Sequence, residues 1–286
     1  MKIYPLNTGN FKLDGGAMFG VVPKSLWSRT NPADENNMCS WAMRCLLIED
    51  EDRLILIDTG IGDKQSEKFF SYYYLFGEDS LIGNLGKLGF TPDDITDVFL
   101  THLHFDHCGG AIVQTGENTY KPFFKNATYW STGRHWNWAI KPNPREKASF
   151  LKENILPIQE SGQLKFIERS GDYVKNVLPN IDVFFVDGHT ESQMIPHIHY
   201  KGNTLVFMAD LLPSIGHIPL PYVMGYDTRP LFTLTEKELF LNRAAKNNYI
   251  LFLEHDYINE CCTLEQTEKG VRLKETFAFK DLFSSL

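Results

Sequence analysis

The sequence of 286 residues lacks several features that mark particular classes of protein. It has no excess of basic residues: 28 lysines and arginines stand against 36 aspartates and glutamates, a formal net charge of −8. This balance argues against nucleic acid or an anionic membrane surface as the main partner. No apolar run is long enough to cross a bilayer, and the N-terminus is not of the signal-peptide kind. We therefore expect a cytoplasmic protein that contacts no membrane.

Cysteine is also scarce, and its spacing excludes the common paired motifs. The five cysteines are odd in number and include no C-x-x-C pair; they are Cys39, Cys45, Cys108, Cys261 and Cys262. This pattern favours free, buried thiols in a reducing compartment. The chain does contain 43% hydrophobic residues, enough for a large core. Its length fits a two-sheet domain, and we predict a single domain over residues 1–286.

The most informative stretch, residues 101–110, has the sequence THLHFDHCGG and holds four residues able to bind a metal. It follows a β-favouring run, so we predict that it forms the loop after a buried strand. His102 and His104 are two positions apart and point the same way in an extended loop. Asp106 and His107 follow on a tight turn. Imidazole and carboxylate donors suit zinc or another first-row divalent ion.

Three further metal-binding candidates each follow a predicted strand. His189 lies in a Gly-His-Thr sequence after one strand, Asp210 ends a second, and His255 follows a third. A carboxylate at the end of a buried strand needs a positive partner, because an unpaired buried charge is costly. Asp58 ends a fourth strand in an Asp-Thr-Gly sequence, where it either caps a turn or supports a neighbouring site. These residues therefore extend the candidate site beyond the loop.

The motif His102-x-His104-x-Asp106-His107 resembles the signature of the metallo-β-lactamase-fold hydrolases, and the resemblance extends from about Met1 to about Tyr257. It implies an α+β fold, a four-layer αββα sandwich with two metal ions at one edge of the paired sheets. It also implies a ligand set: His102, His104 and His189 on the first metal, Asp106, His107 and His255 on the second, and Asp210 bridging them. Asp58 matches an aspartate that orients the metal loop without binding metal.

The resemblance implies the chemistry of a dinuclear hydrolase. A hydroxide held between two divalent cations is a nucleophile at neutral pH, and it would attack an electrophilic carbonyl or phosphoryl centre. One metal would polarise the oxygen that gains charge. Zinc is the first expectation for both ions, although manganese, iron and cobalt also suit these ligands. We predict Asp210 and Asp106 as catalytic residues, with Asp210 or a metal-bound water protonating the leaving group.

Within the family, the length and the segment from Asp210 to His217 resemble the lactonase and organophosphate-hydrolase branch. We therefore expect the substrate to be a lactone, ester or phosphotriester of a fairly hydrophobic small molecule. Pro213 departs from this branch, which commonly has a tyrosine three residues after the bridging aspartate. Tyr222, Tyr226 and His217 are candidates to take its part.

Other functions of the same fold remain as alternatives. A glyoxalase II-like thioester hydrolase uses the same ligands, but no clear basic clamp for an anionic substrate is present. A metal-binding module without hydrolytic activity is the second alternative, although it would not need the full ligand set. A nuclease is disfavoured by the net charge of −8, and a flavin-carrying di-iron reductase by the length of the chain.

Several segments support predictions of a more local kind. The aromatic segment Lys68–Phe76 either packs in a core or lines a substrate mouth or subunit interface. His135 is expected at the surface. His197 and His199 repeat the H-x-H spacing but alternate with isoleucines, so we interpret them as ordinary strand residues. Residues 111–114 are predicted to begin a helix.

Two further predictions concern packing at the outside of the molecule. Trp136 or Trp138, in a helical region interrupted by prolines, is expected to shape a hydrophobic pocket. The final segment, Cys261–Leu286, is rich in charged, helix-favouring residues. We expect it to pack outside the sheet or against the second subunit of a possible homodimer.

Overall fold

The computed structural model describes residues 1–282. Residues 283–286, the last four of the predicted domain, lie outside that range. The chain divides into two compact units: the first comprises Met1–Phe11 and Met43–Arg169, and the second comprises Lys12–Ala42 and the chain from Ser170 onward. The single domain over residues 1–286 stays a prediction.

The strands alternate with helices in the first unit and follow one another more directly in the second. Up to residue 169 they are β1 (Lys2–Asp14), β2 (Met38–Asp50), β3 (Arg53–Ile57), β4 (Asp97–Phe99), β5 (Ile112–Gly116), β6 (Thr119–Pro122), β7 (Thr128–Ser131) and β8 (Leu164–Phe166). After residue 169 they are β9 (Tyr173–Leu178), β10 (Ile181–Val186), β11 (Gln193–Tyr200), β12 (Asn203–Phe207), β13 (Ile250–Phe252), β14 (Cys261–Thr267) and β15 (Gly270–Phe277).

The helices are mostly short, and four of them (α1, α3, α4 and α6) begin at a residue whose side chain caps the helix. They are α1 (Gly15–Phe19), α2 (Lys24–Trp27), α3 (Glu67–Ser71), α4 (Leu81–Lys87), α5 (Phe105–Cys108), α6 (Gly133–Ile140), α7 (Lys152–Glu160) and α8 (Pro230–Asn247). Ser80 caps α4 by accepting the Gly83 N–H, and Pro230 opens α8 where its missing N–H costs nothing. The helix predicted around Arg134–Trp138 is confirmed as α6.

The first unit is built around a sheet whose order is β1-β2-β3-β4-β7-β8. β2 and β3 form an antiparallel hairpin, while β4 and β7 add in parallel to β3. Val98 and Phe99 of β4 are fully buried, as expected for a central parallel strand. The strand predicted before the metal loop is therefore confirmed, and it carries residues 101–108 to the sheet's carboxyl edge.

The second unit is built around a sheet with the order β15-β14-β13-β12-β11-β10-β9. Its only parallel pair among the described strands is β12 with β13; the other neighbouring strands are antiparallel. Because β12 and β13 run the same way, the residues that follow them, Asp210 and His255, leave the sheet at the same edge.

Two local predictions are wrong. Residues 112–116 form β5 rather than the start of a helix, since the β-branched pair Ile112 and Val113 joins an antiparallel ladder with β6. The segment from Cys261 does not pack outside the sheet but joins it as β14 and β15, with Phe279–Asp281 as a short 3₁₀ helix after them. Its packing against a second subunit stays a prediction. Its charged side chains on β15 are exposed, as is common for an edge strand. Among residues 1–282, no helix is long and apolar enough to span a membrane.

Candidate metal centre

Residues 101–110, here named the metal loop, lie in the first unit and bring two imidazole nitrogens together. His104 ends the extended part of the loop as the N-cap of α5, and its Nδ1 lies 3.1 Å from the Nε2 of His102. Both side chains are buried. The Nδ1 of His102 lies 3.2 Å from the Thr101 hydroxyl, so Nε2 is the ring nitrogen that would face a cation. Two nitrogens that converge in this way suit a shared cation.

Asp106 and His107 follow on α5 and face a common point. The Nε2 of His107 lies 3.7 Å from the carboxylate of Asp106, and both residues are buried. The Thr59 N–H and hydroxyl donate to the His107 carbonyl at 2.8 and 2.9 Å, so the backbone of α5 is held against the loop that follows β3. The four candidates of the motif thus form one cluster inside the first unit.

Asp58 is the support of this cluster. Its carboxylate accepts the Thr101 N–H at 2.8 Å and the Thr101 hydroxyl at 2.6 Å, and it lies 3.0 Å from Nδ1 of His107. The residue is fully buried, and its backbone adopts a left-handed conformation with φ of 56°. By engaging Nδ1, the carboxylate fixes the ring of His107 with Nε2 toward the metal position. The structure therefore favours the supporting role over the turn-capping one.

Two residues that support the loop have no signal in the sequence, and one of them corrects a prediction. His135 is 1% exposed, not a surface residue, because its Nε2 accepts the Leu103 N–H at 2.8 Å. Glu146 is also buried, with a carboxylate oxygen 3.5 Å from Nε2 of His104. Its other oxygen accepts the indole N–H of Trp138 at 2.7 Å. Trp138 thus braces the metal loop through Glu146.

The second unit holds its own cluster of candidate ligands around one carboxylate. Asp210 Oδ2 lies 3.0 Å from Nε2 of His189, and its Oδ1 lies 3.1 Å from Nε2 of His255. All three residues are buried. Nδ1 of His255 lies 2.8 Å from the carbonyl oxygen of Ala42, so Nε2 is the atom left for a ligand role. A carboxylate with each oxygen turned to a different imidazole suits a bridging position between two cations.

Asp227 completes this second cluster, and sequence reasoning missed it. Its carboxylate lies 2.9 Å from Nδ1 of His189, on the side of the ring opposite Asp210. Burial alone would lower the pKa of His189, but Asp210 and Asp227 outweigh burial and raise that pKa to about 10. The position therefore stabilises positive charge, as a bound cation requires. The donor set in both units fits divalent metal ions.

We expect Asp227→Asn to weaken zinc binding about 10- to 100-fold, because partners of a metal-binding histidine fix its tautomer and orientation. An asparagine of the same shape can donate to Nδ1 and so favour the wrong tautomer. Competition with a chromogenic chelator measures the change. A matched control is Asp182→Asn, another buried carboxylate of the second unit whose partners are Tyr173 and His199. Equal zinc affinity in both variants would contradict the role of Asp227.

The loop after Asp210 contains His217 and Tyr222, two of the residues considered as replacements for the lactonase tyrosine. His217 is fixed, with Nδ1 2.9 Å from the Ser214 hydroxyl and Nε2 2.9 Å from the Met18 carbonyl oxygen. Burial lowers the pKa of its imidazole to about 3, so it stays neutral. Lys237 donates to the carbonyl oxygens of residues 217, 219 and 222 at 2.7, 3.1 and 2.8 Å. These hydrogen bonds hold His217 and the Tyr222 backbone in place, which indicates a structural role for both.

The remaining local predictions concern residues outside the two clusters. His199 lies 2.9 Å from Asp182, and His197 is packed against Tyr173 and Tyr249 with no exposure. Both lie on β11, apart from Asp210 and its partners. All five cysteines are buried thiols that form no disulfide. Burial raises the pKa of the Cys108 thiol to about 12, so this thiol is structural rather than reactive.

The aromatic segment is joined to the metal loop through one ring. Phe105, between His104 and Asp106 in the chain, packs against Phe69 at 5.3 Å and Tyr73 at 4.7 Å between ring centroids. Tyr72 and Tyr74, by contrast, are 59% and 53% exposed. One face of the segment therefore forms an apolar wall beside the metal loop, and the other face is open to solvent.

The family model of the Metallo-beta-lactamase superfamily matches residues 44–255, and the chain belongs to this superfamily. An N-acyl homoserine lactonase of Bacillus thuringiensis is 25% identical over 272 residues, covering 91% of this chain and 94% of the relative. A lactonase of the same kind from Bacillus sp. is 28% identical over 272 residues, with the same coverage.

Solved structures agree with this family and its fold. A probable metal-dependent hydrolase from Staphylococcus aureus superposes with a TM-score of 0.85 at 32% identity, covering 97% of this chain and 98% of the other. The dizinc quorum-quenching lactonase AidC superposes with a TM-score of 0.78 at 22% identity, covering 96% and 95%. The metallo-β-lactamase fold and the α+β class predicted from the sequence are confirmed. The protein is a metal-dependent hydrolase.

Proposed function

We propose that this protein hydrolyses lactones that carry an apolar acyl chain, N-acyl homoserine lactones being the first candidates. The observation that carries the proposal is the similarity along nearly the whole chain to relatives named N-acyl homoserine lactonases. Supporting it, each unit contains a buried histidine and aspartate cluster made of the residue types that such a hydrolase needs. Esters and phosphotriesters remain the second candidate class.

The proposed metals are two zinc ions, held by residues of both clusters. His102, His104 and His189 would bind the first ion, Asp106, His107 and His255 the second, and Asp210 both. When bound, the ions supply a hydroxide nucleophile at neutral pH and a Lewis acid that polarises the lactone carbonyl. Support for zinc comes from the imidazole-rich donor set and from the dizinc relative.

The side chains of this site have separate tasks in the proposed reaction. Asp58, Asp227 and Glu146 hold the histidine rings in the tautomers that turn a nitrogen toward the metal positions. As the ring opens, the alkoxide oxygen leaves the acyl carbon and must receive a proton. Asp210 is the proposed carrier of that proton: its carboxylate would accept the proton of the hydroxide after it adds to the acyl carbon and pass it to the leaving oxygen, because the lactonase tyrosine is replaced by Pro213. Asp106 balances the positive charge of the second ion throughout.

The apolar wall formed by Phe69, Tyr73 and Phe105 is the proposed contact surface of the acyl chain. Phe105 belongs to the metal loop itself, so a chain lying on this wall begins beside the reacting carbonyl. Burial raises the pKa of Tyr73 to about 12, which keeps its hydroxyl neutral and the wall uncharged. A longer apolar chain therefore gains contact area and binding free energy.

Turnover of a substrate panel tests the proposal. We expect a higher kcat/KM for an N-decanoyl homoserine lactone than for an aryl ester, an aryl phosphotriester or a thioester. Phe69→Ala should lower kcat/KM for the N-decanoyl substrate about tenfold and leave an N-butanoyl substrate, the internal control, nearly unchanged. Preference for the thioester would favour the glyoxalase II-like alternative. Two bound zinc ions without turnover of any member would favour the metal-binding module.

A further inference from the structure

A cavity of about 310 Å³ lies inside the first unit and involves none of the proposed metal ligands among its described lining residues. Its walls are mainly apolar; they include Met43, Phe76, Leu81, Ile112, Val113 and Phe123. Leu75 and Ile82 also line it and are 40% and 54% exposed, so it opens to solvent beside them. Its size and apolar lining are typical of sites for small molecules.

Polar groups around this cavity select against a charged anion. Asp63 and Asp79 contribute to the lining, and the described lining residues include no lysine or arginine. A fatty acid carboxylate or a phosphate would therefore be repelled. Asn10 and Ser80 also line the cavity and offer hydrogen-bonding groups to one end of a ligand. The cavity thus fits an uncharged, apolar molecule with a single polar end.

One wall of the cavity is the backbone segment 59–62, which also supports the metal loop. Thr59 lines the cavity and donates two hydrogen bonds to the carbonyl oxygen of His107. The Gly110 N–H donates to the Gly60 carbonyl oxygen at 2.9 Å. The two segments are thus joined by hydrogen bonds at His107 and at Gly110.

Glycines bring these two segments into direct contact. A methyl group on Gly62 would lie 2.8 Å from the carbonyl oxygen of Gly109, and one on Gly109 would overlap the carbonyl oxygen of Ile61. At these glycines the two backbones meet directly, so movement of the cavity wall is passed on to residues 107–110. This contact connects the cavity to the backbone of His107, one of the proposed ligands.

We propose that this cavity is an effector site for an uncharged, predominantly apolar molecule with one hydrogen-bonding end, the chemistry of a fatty alcohol. A bound effector holds the segment 59–62 in place and so slows the release of zinc from the position served by His107. The effect on zinc rests on the proposed function, whereas binding of the effector does not.

Binding is tested with a tryptophan at the mouth of the cavity. Ile82→Trp narrows the opening, and Leu88→Trp is the matched control, since Leu88 ends the same helix, is 37% exposed and does not line the cavity. The probe is the uncharged dye N-phenyl-1-naphthylamine, displaced by 1-decanol. We expect Ile82→Trp to bind both at least tenfold more weakly than the wild-type protein and the control. Chelator-treated protein should bind them normally.

Coupling is tested by following zinc transfer to a chromogenic chelator with and without saturating 1-decanol. The alcohol should slow zinc release roughly fivefold or more in the wild-type protein and in Leu88→Trp, but not in Ile82→Trp. Equal binding of 1-decanol by Ile82→Trp and the control would overturn the proposal, as would a rate of zinc release that 1-decanol leaves unchanged. A protein that bound 1-decanol in the cavity but held no zinc would instead count against the proposed function.

Discussion

Replacing Asp210 by alanine is expected to lower lactone turnover about 10³-fold or more and to leave at most one tightly held zinc ion per chain. The carboxylate has one oxygen 3.0 Å from Nε2 of His189 and the other 3.1 Å from Nε2 of His255, so it serves both halves of the second cluster. Losing a bridging ligand removes several kcal/mol of charge stabilisation, and each 1.36 kcal/mol is a factor of ten in rate. Zinc per chain is measured after gel filtration, alongside kcat/KM.

Two variants keep this experiment specific for Asp210. Asp210→Asn retains the shape and one oxygen acceptor, and should give an intermediate loss of zinc and rate. Asp182→Asn changes a buried carboxylate of the same sheet that contacts Tyr173 and His199 instead. It should lower stability but keep two zinc ions and near-normal turnover. An Asp210→Ala protein with two zinc ions and unchanged activity would refute the bridging role.

Replacing Asp58 by alanine is expected to lower the free energy of unfolding by about 3 kcal/mol or more, since each buried donor left without an acceptor costs about 1–3 kcal/mol. The Asp58 carboxylate contacts the Thr101 N–H, the Thr101 hydroxyl and Nδ1 of His107, and all of these groups are buried. Because His107 loses its orienting partner, zinc affinity should also fall about 10- to 100-fold. Denaturant unfolding and chelator competition measure the two effects.

Asp97→Ala provides the matched comparison for Asp58. Asp97 is a buried aspartate of the same sheet, and it pairs with Arg53 and accepts from Trp130. Its removal should destabilise the protein to a similar extent while leaving zinc affinity close to the wild-type value. If Asp97→Ala weakened zinc binding as much as Asp58→Ala, loss of general stability rather than loss of orientation would explain both results.

The sequence reveals the ligand-type residues because each follows its own strand and because the motif around His102 is dense. Strand ends are recognisable from local β-branched and aromatic runs, so the positions of His189, Asp210 and His255 needed no knowledge of the three-dimensional contacts. The same reasoning found Asp58 at the end of β3. The ends of individual strands could thus be predicted from local sequence patterns.

The residues that support the ligands could not be predicted, because they lie far along the chain from the groups that they contact. Asp227 is 38 residues from His189, and His135 is 32 residues from the Leu103 N–H that it accepts. Neither has a local pattern that differs from an ordinary loop aspartate or helix histidine, because tertiary packing alone decides the contact. The strands β14 and β15 were missed because the charged residues of an edge strand look like those of a solvated helix.

The contact between Gly62 and Gly109 has a consequence for how such sequences can diverge. The histidines and aspartates of the motif do not themselves require the close contact between these two backbone segments. A related chain could therefore keep them after that contact is lost. A single added methyl group at either glycine, however, would push the two segments apart. In distant relatives, a bulky residue at either position should therefore accompany a compensating change in the facing segment. Glycine at both positions therefore indicates that the loop keeps this packing, whereas the presence of the histidines alone does not.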